Sequence, residues 1–521
     1  MNPERRKFLR NLSALTAGSA LPSLGASIDY GPSKVLIDPR PLFEISPYLY
    51  MQFMEPLGIT DGSVEAAWDY DADNWRPDLI ALVKSLSPDV VRFGGLFSRY
   101  YKWREGVGPP QKRPVMRNYA WGGIESNRVG THEFINFCRR VGAEPLYCGN
   151  FLSDGEQRYW KPSAGQSRTG DATEAADWVS YANDPDSRER KQNGAVEPYK
   201  IKLWQIGNET SYDRECFSKQ EAIQHTIEFV KAMKQRDPSI QIIGWGDRGP
   251  GLEDPYWVGD LLRQAGEHLD YVAMHMMGLH PKRVDTVLNG WRYLQEPEQA
   301  WEELVELSNW PEVRVKEFEE ATASANPKIG IAITEGHLSL SPYNTNPLLY
   351  EWLTGVFHAR SMNIYQRHGA RVKIATASDF FGTRWTVNTA MMPVPGGSSY
   401  LMPVGSVARL FKQHNGRQAV EVKSAPKDLD IAASISGDRL YLHVANLNYR
   451  RPCEAAFIVE GRKITGGHIF EIDPESTRVA VSESEPNVFV PVEKTIPLKP
   501  QPMWRFPSAS VSAVELNLKV T

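Results

Sequence analysis

The sequence predicts an α/β fold: a (β/α)8 TIM barrel followed by a C-terminal antiparallel β-sandwich. Between about residues 46 and 390, short apolar runs alternate eight times with amphipathic helical stretches. Most of these runs are continuously apolar, as parallel strands buried on both faces are. Beyond about Met402 the helical periodicity gives way to short alternating runs bounded by turn residues. Eight strand–helix alternations over this length favour a closed barrel. The open doubly wound sheet is the rival, but no G-x-G-x-x-G follows the first strand.

Each segment has its own reason. Residues 1–27 carry Arg5-Arg6, then Phe8 and Leu9, a mild Ala/Leu/Ser/Gly stretch and small residues around Ala26. This pattern reads as a twin-arginine export signal and implies a periplasmic or secreted protein. The stretch is too short and too mild to span a membrane, which takes about 20 apolar residues, and no later segment reads as a span. Residues 28–45 hold a candidate strand at Lys34–Asp38, expected to join the β-sandwich.

The barrel is assigned to residues 46–394. Its expected strands are Tyr48–Phe53, Asp89–Phe93, Glu144–Cys148, Ile201–Ile206, Ile240–Trp245, Tyr271–His275, Ile329–Thr334 and Val372–Ala377. Among the helices, Ser218 and Glu221 form a capping box ahead of Ile223, Ile227, Val230 and Met233 on one face, and Asp237-Pro238 stops the run. The helical stretch from Val284 to Ala323 exceeds what a barrel helix requires. It is expected to shape the barrel mouth or to contact a second copy in a homo-oligomer. Its Trp291, Trp301 and Trp310 read as packing residues. Residues 395–521 form the sandwich, with strands such as Arg439–Asn446 and Cys453–Val459 separated by turn signals at 436–438 and Gly466-Gly467.

Composition narrows the chemistry. The chain has 521 residues, with 59 Lys+Arg against 63 Asp+Glu and a net charge of −4. That balance argues against a nucleic-acid partner, whose footprint is basic. Four scattered cysteines, Cys138, Cys148, Cys216 and Cys453, form no CxxC pair and no disulfide scaffold. No metal site is expected, because His275 and His280 are not in an HExxH arrangement and no Cys/His cluster has ligand spacing. No cofactor is implied. The 15 Trp and 21 Tyr are rich for a core alone, and aromatic faces also stack on sugar rings.

Functional groups of such a barrel sit at the C-terminal ends of its strands. Those ends read Glu55, Arg92, Asn150, Asn208-Glu209, Asp247, His275, Glu335 and Asp379. Glu209 closes strand four beside an amide, and Glu335 closes strand seven. Two carboxylates at one mouth suit glycoside hydrolysis: one protonates the departing oxygen, and the other attacks the anomeric carbon or activates water. Carboxyl groups about 5–5.5 Å apart give retention, and about 6.5–9.5 Å gives inversion. Either glutamate taken alone reads equally well as a helix cap or an arginine partner. The pair on strands four and seven carries the argument.

Longer motifs point the same way. Tyr50-Met-Gln-Phe-Met-Glu-Pro-Leu-Gly58, Arg92-Phe-Gly-Gly95, Tyr101-Lys-Trp-Arg-Glu-Gly-Val-Gly-Pro109, Gly130-Thr-His-Glu-Phe134 and Trp204-Gln-Ile-Gly-Asn-Glu209 occur in that order. In these motifs the chain resembles glycoside hydrolase family 51, the α-L-arabinofuranosidases of the large retaining (β/α)8 clan. The resemblance covers most of residues 46–390. It implies Glu209 as acid/base, Glu335 as nucleophile, Asn208 on the sugar 2-hydroxyl, Arg92 beneath Glu335, Glu55 on sugar hydroxyls and His275 orienting a carboxylate. Asn150 at the third strand end is expected to bind substrate, an oligo- or polysaccharide.

The motifs also depart from the family. Leu96 stands where the family has a sugar-binding Asn, Met277 where it has a Tyr, and Trp385 where it has a Gln; Trp385 is expected to touch sugar. Thr334 and Gly336-His337 replace the Asp and Trp-Asn that flank the family's nucleophile. Lost hydrogen-bond partners change which sugar a buried pocket accepts, so a different furanose or a pyranose is a rival to L-arabinofuranose. A non-catalytic carbohydrate-binding protein is a second rival, which retention of both carboxylates argues against.

Overall fold

The computed structural model describes residues 33–153, 168–211, 218–247, 258–277, 283–378, 381–498 and 501–520. The segment read as an export signal, Cys216, His280 and Asp379 lie outside these residues. Eight parallel strands run in sequence order around a barrel: Met51–Met54, Val90–Phe93, Glu144–Gly149, Leu203–Ile206, Gln241–Trp245, Tyr271–Met276, Gly330–Gly336 and Val372–Ala375. All eight coincide with the expected runs. The first and last strands meet only at a Tyr50–Ala375 bridge, where Ala375 N donates to Leu49 O at 2.9 Å.

Side-chain alternation along the strands explains the interior. Met51, Val90, Leu146, Leu203, Ile243, Ala273, Ala332 and Ile374, one from each strand, form a buried apolar cluster. Two residues further along, on the same inward face, stand Phe53, Arg92, Cys148, Gln205, Trp245, His275, Thr334 and Thr376. Each strand thus contributes first to a dry plug and then to a predominantly polar layer above it.

Helices wrap the barrel where the sequence places them. Ser218 caps Lys219–Arg236 with Glu221 completing the box. Pro77–Leu86 starts on proline and ends on a left-handed Ser87. One helix was not foreseen. Helical structure was expected to end near Met402 and the barrel at 394, but Pro403–Gln413 forms a further helix on the barrel surface, packed against Pro77–Leu86 and Gly355–Arg367. Its apolar face, including Val404, Val407, Ala408, Leu410 and Phe411, is buried. Only eleven residues long, it is easily read as the start of the β-rich segment. The expected long helical stretch also divides: Arg292–Leu294 is a single 3-10 turn, followed by helices Pro297–Leu307 and Trp310–Ala323.

The C-terminal unit is one nine-stranded sheet. Ser33–Glu44 enters it between Gln418–Ser424 and Cys453–Val459, antiparallel to the first and parallel to the second. That parallel pair is the one departure from antiparallel pairing among the described strands of this sheet. Val35, Leu442, Phe457 and Leu516, from well-separated strands, share one core, so the sheet folds over on itself as a sandwich does. Gly437, at φ +59°, turns the 429–446 hairpin as expected. Gly466-Gly467 does not turn the chain: both lie inside Arg462–Ile472 at a bulge after Ile464, and the turn is made by Gly461 at φ +64°.

The sheet packs against the last barrel helices. Asp430 accepts from Arg367 at 2.9 Å, Arg360 at 3.3 Å and Asn363 at 2.8 Å. His443 stacks on Phe411 with ring centroids 4.1 Å apart, and burial lowers its pKa to about 4.

Candidate active site

Strand ends from all round the barrel converge on one polar cluster. Arg92, fully buried, lies at its centre. Its guanidinium donates to Glu335 Oε1 at 2.9 Å, Asn208 Oδ1 at 2.6 Å and Gln205 Oε1 at 2.9 Å. Burial opposes the charge on Arg92, but the nearby acidic groups, Glu335 first, outweigh it and hold the guanidinium more firmly protonated than usual.

His275 bridges the two predicted carboxylates. Its Nδ1 lies 2.9 Å from Glu209 Oε1 and 3.6 Å from Glu335 Oε2, and its Nε2 lies 3.2 Å from Thr334 Oγ1. One oxygen of each glutamate and one His275 nitrogen all lie within 4.8 Å of one another. Such a trio also offers three ligands to a small cation. The buried Arg92 guanidinium already places positive charge on Glu335, however, and a second cation would be repelled in so poorly screened a place.

Local backbone irregularities aim both carboxylates. Strands six and seven lose register where Met274 pairs with Ile333 but His275 pairs with Glu335. The extra residue lets Thr334 and Glu335 both serve the interior, as bulges beside functional sites do. After strand four, Gly207 takes φ +75° and Glu209 takes φ +56°. A left-handed conformation is costly for a glutamate and persists only where its surroundings impose it. Arg99 does so, donating to Asn208 O at 2.9 Å and Glu209 O at 2.7 Å. Asn208 Nδ2 stays buried and without a protein partner, so it carries a donor for a ligand.

Glu55, at the end of strand one, accepts from Phe97 N at 3.1 Å and Trp121 Nε1 at 3.0 Å. Burial first, and then the charge of Glu335, push its carboxyl well above the usual range. Gly95, at φ +94°, sits so close that a Cβ there would meet Glu55 Oε2 at 2.1 Å. The turn after strand one is braced from outside, where Glu125 accepts from Gly58 N and Asn118 Nδ2, each at 2.7 Å. Burial, offset in part by Asn118 and reinforced by Glu65, raises Glu125 to about 7.

Two predicted residues sit differently from expectation. Asn150 spends its amide on protein, donating to Arg99 O at 3.1 Å and Arg168 O at 2.8 Å and accepting from Ser153 N at 3.0 Å. Asp247 forms a buried ion pair with Arg314 at 3.0 Å and accepts from His275 N at 3.2 Å. Trp385 packs edge-on against Trp121, with ring centroids 5.2 Å apart. Its loop is gathered by Asp61, which accepts from Trp385 N at 2.9 Å and Asn388 Nδ2 at 2.9 Å. Sequence reasoning missed Gln205, Arg99, Trp121 and Asp61 as parts of this cluster. Gln205 was legible, two residues before Gly207 on an inward face. Arg99 and Asp61 left no trace, because they act on backbone groups of distant loops.

Known proteins resemble this chain in sequence and in fold. The family described as "Alpha-L-arabinofuranosidase 1 domain" matches residues 82–291. The structure of the thermostable GH51 α-L-arabinofuranosidase from Thermotoga petrophila superposes with a TM-score of 0.72 at 25% identity, covering 93% of this chain and 99% of that one. The chain is GH51-like. A probable α-L-arabinofuranosidase C of Aspergillus niger is 33% identical over 259 residues, 48% of each protein. The intracellular exo-α-(1→5)-L-arabinofuranosidase of Acetivibrio thermocellus is 32% identical over 243 residues, 44% of this chain and 45% of that protein. The GH51-like chain therefore spans about half the length of the curated relatives it matches.

Proposed function

We propose that the protein is a retaining glycoside hydrolase acting as an α-L-arabinofuranosidase on polysaccharide side chains. Glu335 is the nucleophile and Glu209 the acid/base. The observation that carries this reading is the carboxylate pair, with oxygens no more than 4.8 Å apart and bridged by His275. Oxygens this close are compatible with direct attack, for which the carboxyl groups stand about 5–5.5 Å apart. Glu335, paired with Arg92, attacks the anomeric carbon while Glu209 protonates the leaving oxygen. Water then replaces the leaving group, Glu209 takes its proton, and the glycosyl–enzyme bond breaks. In the tautomer protonated on Nδ1, His275 donates to Glu209 Oε1 and accepts from Thr334 Oγ1 at Nε2. Asn208 Nδ2 offers its unused donor to the sugar 2-hydroxyl.

Hydrolysis of an aryl α-L-arabinofuranoside, with the anomer of the first product read by NMR, tests the proposal. Release of the inverted anomer would overturn the double displacement, and absence of turnover would overturn the arabinofuranosidase reading.

A second reading keeps the mechanism and changes the sugar. Leu96, half-buried and next in sequence to the Gly95 that abuts Glu55, together with Met277 and Trp385, stands where the family pattern has polar side chains. A panel of aryl furanosides and pyranosides separates the two: a pyranoside or another furanoside turned over faster than the arabinofuranoside would favour the changed pocket.

We also propose export through residues 1–27, supported by Arg5-Arg6. Cell fractionation of the wild type and an Arg5→Lys/Arg6→Lys variant tests it, and a wild type confined to the cytoplasm would overturn it.

A further inference from the structure

The expected packing tryptophans part company in the structure. Trp301 is buried, whereas Trp291 is 63% exposed. Its loop is nevertheless firmly held. On one side, buried Glu303 accepts from Val287 N at 3.2 Å and from Gln299 Nε2 at 2.9 Å, and it hydrogen-bonds Thr286 Oγ1 at 2.5 Å. On the other, buried Tyr293 donates to Glu351 Oε1 at 3.2 Å. A large ring kept in water on a fixed loop forgoes the stabilisation that burial gives its neighbours.

This loop adjoins the one that leaves the Glu335 strand. Gly290 N donates to Ser341 O at 2.7 Å, and Asn346 Nδ2 donates to Leu288 O at 2.8 Å. That second loop presents Tyr343, 60% exposed. The Tyr343 ring lies edge-on to His337, with centroids 6.4 Å apart, and His337 is two residues beyond Glu335. Two exposed aromatic side chains therefore stand on braced loops at the C-terminal, catalytic side of strands six and seven.

We propose that Trp291 and Tyr343 form a stacking platform for the saccharide chain beyond the sugar being cleaved. The proposal rests on the hydrolase reading for the direction of the chain, and it assigns these residues to binding the polymer rather than to the chemical step. A neutral saccharide is the occupant the position favours: aromatic faces suit sugar rings, and the two loops follow the strands that end on His275 and Glu335. The aryl monoglycoside does not reach it, so only longer substrates sense it.

The test compares wild type, Trp291→Ala, Tyr343→Ala and Trp291→Phe on an aryl arabinofuranoside and on an arabino-oligosaccharide of at least four residues. Trp291→Ala is expected to lower kcat/KM on the oligosaccharide about tenfold, corresponding to ~1.4 kcal/mol. Tyr343→Ala lowers it several-fold, Trp291→Phe restores most of it, and the aryl substrate is unaffected. Equal losses on both substrates, or none on the oligosaccharide, overturn the platform. A native gel containing branched arabinan or arabinoxylan separates this failure from failure of the hydrolase reading, because it needs no turnover. Glu209→Gln protein should be retarded by at least one polymer, and the Glu209→Gln/Trp291→Ala double variant should run free. Equal mobility of the two, with or without retardation, overturns the proposal even if the enzyme is active. Trp291→Ala altering the sedimentation coefficient while leaving retardation intact would assign the rings to contact with a second copy and overturn it as well.

Discussion

The same eight strands build two opposite environments within a few residues. Met51, Val90, Leu146, Leu203 and Ile243 close the barrel with dry side chains. The next inward positions, among them Arg92, Gln205, His275 and Thr334, are tied to one another and to two carboxylates. Apolar packing is non-directional and tolerates adjustment. A buried polar network is directional, and each member left unpaired costs the desolvation of its partner. The plug therefore holds the strands together, and the layer above it spends that rigidity on fixed charges. The strained Glu209 backbone and the bulge at Thr334 occur at the ends of strands whose lower halves are regular, where firm packing can sustain them.

The largest effect should come from the polar end without loss of fold. Glu209→Gln is expected to lower kcat by about 10²–10⁴-fold with its thermal midpoint close to wild type; Glu335→Gln should lower kcat by at least as much and also lower the midpoint, because it leaves buried Arg92 without its carboxylate. Steady-state kinetics beside calorimetry reads both, and a drop in the Glu209→Gln midpoint matching its activity loss would make that residue structural. Arg92→Met should fail on both counts, since it leaves Glu335 uncompensated; about 3–5 kcal/mol of stability is expected to go with activity, measurable by urea unfolding. Leu203→Ala should do the reverse of Glu209→Gln: a loss of about 2–5 kcal/mol on unfolding, with kcat per folded molecule unchanged. Loss of turnover in that variant would break the division between the two ends.

The smallest effect is a pH dependence outside the mouth. Glu125 has its pKa raised to about 7 by burial, so between the ordinary carboxylate range and pH 7 the folded state binds more protons than the unfolded one. Stability from this group is full below about pH 4.5 and is lost as the pH rises through 7. Glu125→Gln should flatten that decline in thermal midpoint. An unchanged pH profile would show that the bracing of the turn after Glu55 does not depend on this proton.

The two regions were not equally legible. Continuous apolar runs located all eight strands, because burial on both faces leaves a local record in composition. Glu209, Glu335, Arg92 and His275 were readable because a barrel brings every strand end to one mouth. Asn150's bonds to Arg99 and Arg168 were not legible because a strand-end amide serves a neighbouring carbonyl as readily as a sugar, and the sequence does not say which is nearer. The helix at Pro403–Gln413 was overlooked because it lies between the last barrel strand and the first strand of the sheet domain. Trp291 reads as a packing residue but stands in water, because a tryptophan's exposure depends on what folds over it.

By itself the sequence determined the order of elements, the closed barrel and the identity of its paired carboxylates, since hydrophobic period and strand-end position are local properties of the chain. Only the tertiary structure decided which oxygens face each other, how a register shift turns Glu335 inward, and how Arg99 holds Glu209 in a left-handed turn. Those outcomes depend on contacts between residues from about 60 to 110 positions apart, whose distances no local pattern encodes.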